Sequence, residues 1–134
     1  MNRQFEIALS QYGEREILGQ YDNPEIMKYY HQIGFKDIKH DETAWCAAFV
    51  SWCMMKSGIN TIKTLVARDW LSQGRKITVP KIGDLVIFWR GEPKGWSGHV
   101  GFYVRETENY IYVLGGNQGN KVQISAYSKG RLLG

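Results

Sequence analysis

Two cysteines and three histidines in 134 residues are small numbers, and the shortage of each closes off a class of protein. Two cysteines make no disulfide scaffold. Cys46 and Cys53 lie seven residues apart in one apolar segment that reads as a helix, about 10 Å along its axis. A disulfide needs Cα atoms within about 7 Å, so both are expected to be free thiols, which suits a reducing compartment and leaves one available for chemistry. His31, His40, His99 and Cys46 show no paired spacing of the HExxH or CxxC kind, so no metal site is expected.

Long apolar runs are also missing. The longest, Ala44 to Met55, is interrupted by Ser51 and falls short of the ~20 residues that cross a membrane, so no membrane segment is expected. The opening MNRQFEIALSQYGE mixes Glu, Ser, Gln and Tyr into its apolar positions, unlike a signal peptide. The expectation is synthesis in the cytoplasm without a signal peptide, with any export by another route. The formal charge of +4 suggests an acidic partner. Between Asn60 and Lys81, Lys63, Arg68, Arg75, Lys76 and Lys81 face only Asp69. Zinc-finger spacing, RNP-type aromatics and basic heptads are lacking, so this patch reads as a solvated loop rim and no nucleic-acid partner is expected.

Aromatic residues are plentiful: five Trp, eight Tyr and five Phe. They indicate a heavy core, and the length suits one domain over residues 1–134, held without staple or metal. Helical spacing runs from Gln4 to Tyr12, from Pro24 to Gln32 behind an Asn23-Pro24 start, and from Ala44 to Ser57, with Gly13, Gly34 and Gly58 as stops. A shorter helix is expected at Ala67–Gln73. Strands are expected at Ile77–Val79, Leu85–Trp89, His99–Arg105, Tyr110–Leu114 and Lys121–Tyr127. Helices first and strands second give an α+β domain, with the Ala44–Ser57 helix, apolar all round, packed on an antiparallel meander of about five strands.

Cys46 falls in the first turn of that helix, where free amides and the helix dipole favour a thiolate. A small apolar packing role is the equal alternative. Cys53, two turns deeper among methionines, reads as packing. In GHVGFYV, alternation puts His99, Gly101 and Tyr103 on one strand face, and Gly101 leaves room beside an imidazole that can serve as general base. In the turn GGNQGN, Asn117 is able to hold a neighbouring imidazole by its ring N–H, although Gly and Asn clusters commonly just make turns. The same turn is no phosphate loop, since it lacks the GK[ST] ending. Trp96 reads equally as a wall of a substrate cleft or as packing on its own loop.

The order WCAAFVSWCMMKSG, PKIGDLVIFWRG, GHVGFYV and VLGGNQGN resembles the CHAP and NlpC/P60 group of bacterial and phage cysteine peptidases and amidases, in particular its small phage-type branch. The resemblance runs from about Asn23 to the closing RLLG. It implies a papain-like fold, with Cys46 as nucleophile, His99 as base, Asn117 as orienting residue and the Cys46 backbone amide as oxyanion donor. Trp96 and Gln118 are the candidates for substrate contact, and Gly83 with Asp84 implies a structural turn. Departures are Gly115 where many CHAP domains carry Glu, and Trp45 and Ala47 where NlpC/P60 enzymes usually carry Asp and Ser. Papain-like enzymes often carry a side-chain oxyanion donor several residues before the nucleophile, the region of His40, Asp41, Glu42 and Thr43. The donor expected here is the Cys46 backbone amide alone.

The implied reaction is attack of the thiolate on an amide of bacterial peptidoglycan and hydrolysis of the resulting thioester, with no cofactor and with the protein acting as a monomer at the cell wall. It would arrive by lysis, phage delivery or secretion, and an injected toxin would need an immunity protein. The alternatives are an idle phage tail or wall-binding module of the same fold, and a cysteine protease or transferase acting on a cytoplasmic protein.

Overall fold

The computed structural model describes residues 2–14, 24–35, 45–59, 63–64, 66–73, 77–90, 92–94, 98–118 and 121–134, with the backbone alone at Pro24, Glu25 and Asn117. Helices α1 (Arg3–Ser10), α2 (Pro24–His31) and α3 (Cys46–Lys56) come first, followed by a 3₁₀ turn (Ala67–Ser72). Strands β1 (Leu85–Trp89), β2 (Gly98–Glu106), β3 (Tyr110–Gln118) and β4 (Lys121–Ser128) follow, then a final 3₁₀ turn (Lys129–Arg131). The sheet is an antiparallel meander in the order β1-β2-β3-β4.

Local chemistry sets the helix limits. The Asn2 side chain accepts a hydrogen bond from the Phe5 amide at 3.0 Å, which satisfies one of the free donors at the start of α1. Helix α3 stops at Gly58, whose φ of 82° an L side chain rarely adopts, and the Ile59 amide closes back on Met54 O at 3.0 Å. Gly83, with φ of 92°, turns the chain into β1, and the Asp84 carboxylate accepts from the Lys81 amide at 2.6 Å. This is the structural turn the sequence suggested.

The sheet has four strands rather than about five. Ile77–Val79 has the β-branched composition of a strand but forms none, and Val79 is 78% exposed. The outer edge of β1 is taken by the end of the chain: Leu132 bridges Phe88, and Ile87 exchanges backbone bonds with Leu133 and Gly134 at 2.7 and 3.0 Å. At the opposite edge Val122 of β4 is bonded to Gly13 and Glu14 at 2.8 and 2.7 Å.

Two apolar layers flank the sheet. On the helix side Ile87, Val100, Phe102, Leu114 and Val122 pack under α3, whose residues Cys46 to Met54 are all buried. On the other side Val86, Phe88, Tyr103, Ile111 and Val113 form a second cluster. Tyr127 of β4 joins it by stacking on Phe88 of β1, with ring centroids 5.1 Å apart, so the sheet curls until its first and last strands meet on this face.

Four aromatic rings fix the start of α3. Tyr29 of α2 contacts Trp45, Phe49 and Trp52 at centroid distances of 5.8, 4.9 and 5.0 Å. Its hydroxyl donates to Gln11 Oε1 at 2.9 Å, and the Trp52 indole donates to Gln32 Oε1 at 2.8 Å. Trp45, directly before Cys46, lies on Gly116 of β3. A Cβ at Gly116 would stand 2.6 Å from the Trp45 ring and 2.8 Å from the Phe49 Cβ. Gly116→Ala is therefore expected to destabilise the protein by about 1–3 kcal/mol through overpacking, read as a lower urea midpoint with an unchanged m-value.

Candidate active site

Cys46 is the first residue of α3, so its own amide and that of Ala47 are helix N–H groups without intrahelical acceptors. Both lie near enough to the sulfur to favour a thiolate, as does the Val100 amide of β2, one residue beyond His99. The strand face matters here. Val100 and Phe102 belong to the helix-side layer and His99, Gly101 and Tyr103 to the other, as alternation along β2 requires. Cys46 thus lies near the start of β2, close to the Val100 amide that follows His99.

His99 is wholly buried and Cys46 is 5% exposed. Burial pushes the Cys46 thiol up from its ordinary value, and the Val100 amide, the positive charge of Arg90 and the two helix amides only partly offset it. The helix terminus alone predicts a thiolate; desolvation by the surrounding core overrides it. Burial also holds the His99 imidazole down at about 3 against the opposing hydrogen bond from Gln118, with the charges of Arg90 and Arg131 adding to the depression. The resting pair is a neutral thiol and a neutral imidazole. Cys53, buried in α3, is pushed further up by desolvation.

The imidazole tautomer follows from its neighbours. Gln118 Nε2 donates to the carbonyls of Val113 and Gln123 at 2.9 and 2.7 Å, so both of its protons are used. Its Oε1 therefore faces His99 Nε2 as an acceptor, at 2.8 Å, and the ring donates from Nε2. The lone pair is left on Nδ1, where Arg90 Nη2 donates at 3.3 Å. Tyr127 stacks on the ring with centroids 4.7 Å apart, and the charge of Arg90 lies near its hydroxyl. Burial pushes that phenol up to about 12.

Glycines make the space for Gln118. A Cβ on Gly115 would stand 2.5 Å from Gln118 Oε1, and one on Gly101 would strike the Val113 side chain and come within 3.6 Å of the same oxygen. Pairing of β3 with β4 slips by one residue between Gly115 and Gln118. Strict alternation carries the face of Gly115 to residue 117; the bulge carries Gln118 to it instead. Gln118, expected against substrate, is 2% exposed and has its polar atoms engaged within the protein. The side chain of Asn117, the whole of Trp96, and His40, Asp41, Glu42 and Thr43 lie outside the described residues.

Arg90 and Tyr127 were not singled out from the sequence. Arg90 had a signal, since a cation directly after the apolar strand LVIFW faces the start of β2 in a meander. Tyr127 had none, because it reaches His99 only through the curl of the sheet. A cavity of about 560 Å³ lies elsewhere, lined by Trp70, Leu71, Ile77, Asp84 and Leu133 among others. Among the described residues no three His, Cys, Asp or Glu side chains converge as a metal site requires, and no helix is long and apolar enough to cross a membrane.

The buried imidazole makes stability pH-dependent. An unfolded chain protonates His99 near 6.5, while the folded protein keeps it neutral to about 3. Between those values the unfolded state binds more protons, so stability falls as pH falls, by up to about 1.4 kcal/mol per unit. Glu106, held low by Lys129 and Tyr103, acts in the same direction. Urea midpoints at pH 7 and pH 5 should therefore drop more for the wild-type protein than for His99→Gln, and this difference isolates the histidine.

No curated protein matches the chain. The family model of the CHAP domain matches residues 38–117, more than half of the sequence, and spans Cys46, Arg90 and His99. With an α+β fold that places a buried helix bearing a cysteine at its first residue against an antiparallel sheet carrying the histidine, the chain belongs to the CHAP domain family, whose members are amidases and peptidases that typically act on peptidoglycan.

Proposed function

We propose that this chain is a cysteine amidase or peptidase that cuts an amide bond in the peptide of bacterial peptidoglycan, with Cys46 as nucleophile, His99 as base and Gln118 as the residue that orients His99. The observation that carries this reading is the Gln118 bond to His99 Nε2, which leaves the only lone pair of the ring on Nδ1. A general base needs such a fixed tautomer. Asn117, the orienting residue implied by the family resemblance, is adjacent in β3.

Because the resting pair is uncharged, the thiol proton moves to Nδ1 as the sulfur attacks the amide carbon. The oxygen then takes up negative charge, and the Cys46 amide, which has no intrahelical acceptor at the start of α3, is the donor suited to it. His99 returns the proton to the leaving amine, and water, deprotonated by the same nitrogen, hydrolyses the thioester. The Gln118 bond stabilises the imidazolium formed in between, whereas the buried setting disfavours it.

One observation favours a second reading, an idle module of the same fold: in the resting protein Arg90 occupies the Nδ1 lone pair. Mass spectrometry of fragments released from purified peptidoglycan separates the two. A hydrolase releases fragments, and Cys46→Ala lowers the rate by ~10³-fold or more while the fold persists. New amino termini on L-alanine identify an amidase; cut stem peptides or cross-links identify an endopeptidase. Intact sacculi from several wall types, with no difference between the wild-type protein and Cys46→Ala, would sink the hydrolase reading.

A further inference from the structure

Arg90 stands on the one atom the reaction needs. Gln118 takes His99 Nε2, so Nδ1 is the sole nitrogen able to accept the thiol proton, and Arg90 Nη2 donates to it at 3.3 Å. Its positive charge also reaches the Tyr127 hydroxyl and Cys46. It is half-buried, and no carboxylate among the described residues pairs with it. A guanidinium has a planar fork matched to a carboxylate, and a neutral imidazole is the weaker acceptor.

We propose that Arg90 binds a free carboxylate of the substrate beside the scissile amide, and that this contact draws the guanidinium off His99 Nδ1 and frees the base. The proposal rests on the nucleophile and base assigned above and narrows the substrate class to peptides with a carboxylate within a few bonds of the amide that is cut. Without that contact Arg90 caps the base. In the complex its N–H groups donate to the carboxylate, the Nδ1 lone pair takes the proton of the Cys46 thiol, and the sulfur bonds to the amide carbon as the carbonyl π pair moves to oxygen. A neutral substrate leaves the cap in place. Arg131 is differently placed: its Nε donates to Trp89 O at 3.0 Å and its guanidinium lies 5.2 Å from the Trp89 ring centroid, so it contributes charge without touching the ring of His99.

Alkylation tests this without peptidoglycan. Iodoacetate and iodoacetamide each form a C–S bond at Cys46 and release iodide, with the thiol proton passing to His99, and only the former carries a carboxylate. Rates at Cys46, resolved from Cys53 by peptide mapping, are compared for the wild-type protein, Arg90→Gln, Arg90→Lys and Arg131→Gln, with free cysteine as reference. The ratio of iodoacetate to iodoacetamide rates should exceed that of free cysteine. It should fall about tenfold in Arg90→Gln, the size of one charge-assisted contact, and less in Arg90→Lys and Arg131→Gln. A ratio unchanged by Arg90→Gln overturns the proposal while leaving the nucleophile intact, and an equal fall in Arg131→Gln overturns it in favour of a general field. Labelling of Cys46 by neither reagent in the folded wild-type protein overturns both the proposal and the nucleophile reading.

Discussion

The hydrogen bond between Gln118 Oε1 and His99 Nε2 is the constraint on which the site depends. It is made inside the protein, where a buried donor left unpaired costs about 1–3 kcal/mol, so several features converge to keep it. The carbonyls of Val113 and Gln123 hold the amide nitrogen of Gln118 and set which end of the amide faces the ring. Gly101 and Gly115 leave the volume that the Gln118 side chain fills. The Gln123 amide returns a bond to Gln118 O at 2.6 Å, closing the hairpin that delivers it. The consequence is one imidazole tautomer, with one lone pair and one place for it.

Around that bond, burial and charge oppose each other. The aromatic box of Tyr29, Trp45, Phe49 and Trp52 sets the position of α3 and so brings Cys46 to the start of β2. The same burial raises the thiol and lowers the imidazole, the direction opposite to an ion pair. Arg90 favours the thiolate and disfavours the imidazolium, so its position relative to the two partners matters more than its charge alone.

Much of the fold was legible in the sequence. Helix α3 announced itself by an apolar surface on every side and a glycine stop, and β1 to β4 by short apolar runs between turns rich in Gly, Asn and Pro. Ile77–Val79 was misleading because composition favours a strand only where a neighbour has backbone groups to pair, and the chain terminus had taken that edge. The candidate site was legible in Cys46 and His99, whose positions follow from a helix start and a strand start. Gln118 reaches His99 across a one-residue bulge that period-2 reasoning does not foresee, and Tyr127 arrives through a curl that involves four strands at once. The rise of the Cys46 thiol is likewise tertiary, since it comes from what packs over the helix terminus rather than from the terminus itself.

The short segments that flank the sheet have a further effect. An uncovered strand edge offers its backbone groups to any extended chain that meets it. Here Ile87 and Phe88 on one edge and Val122 on the other already spend theirs on Leu132–Gly134 and on Gly13–Glu14. At those positions a passing peptide finds no ladder to join. At Ile87, Phe88 and Val122 the sheet is therefore closed to growth by a further strand, and the two ends of the described chain act as its edge guards.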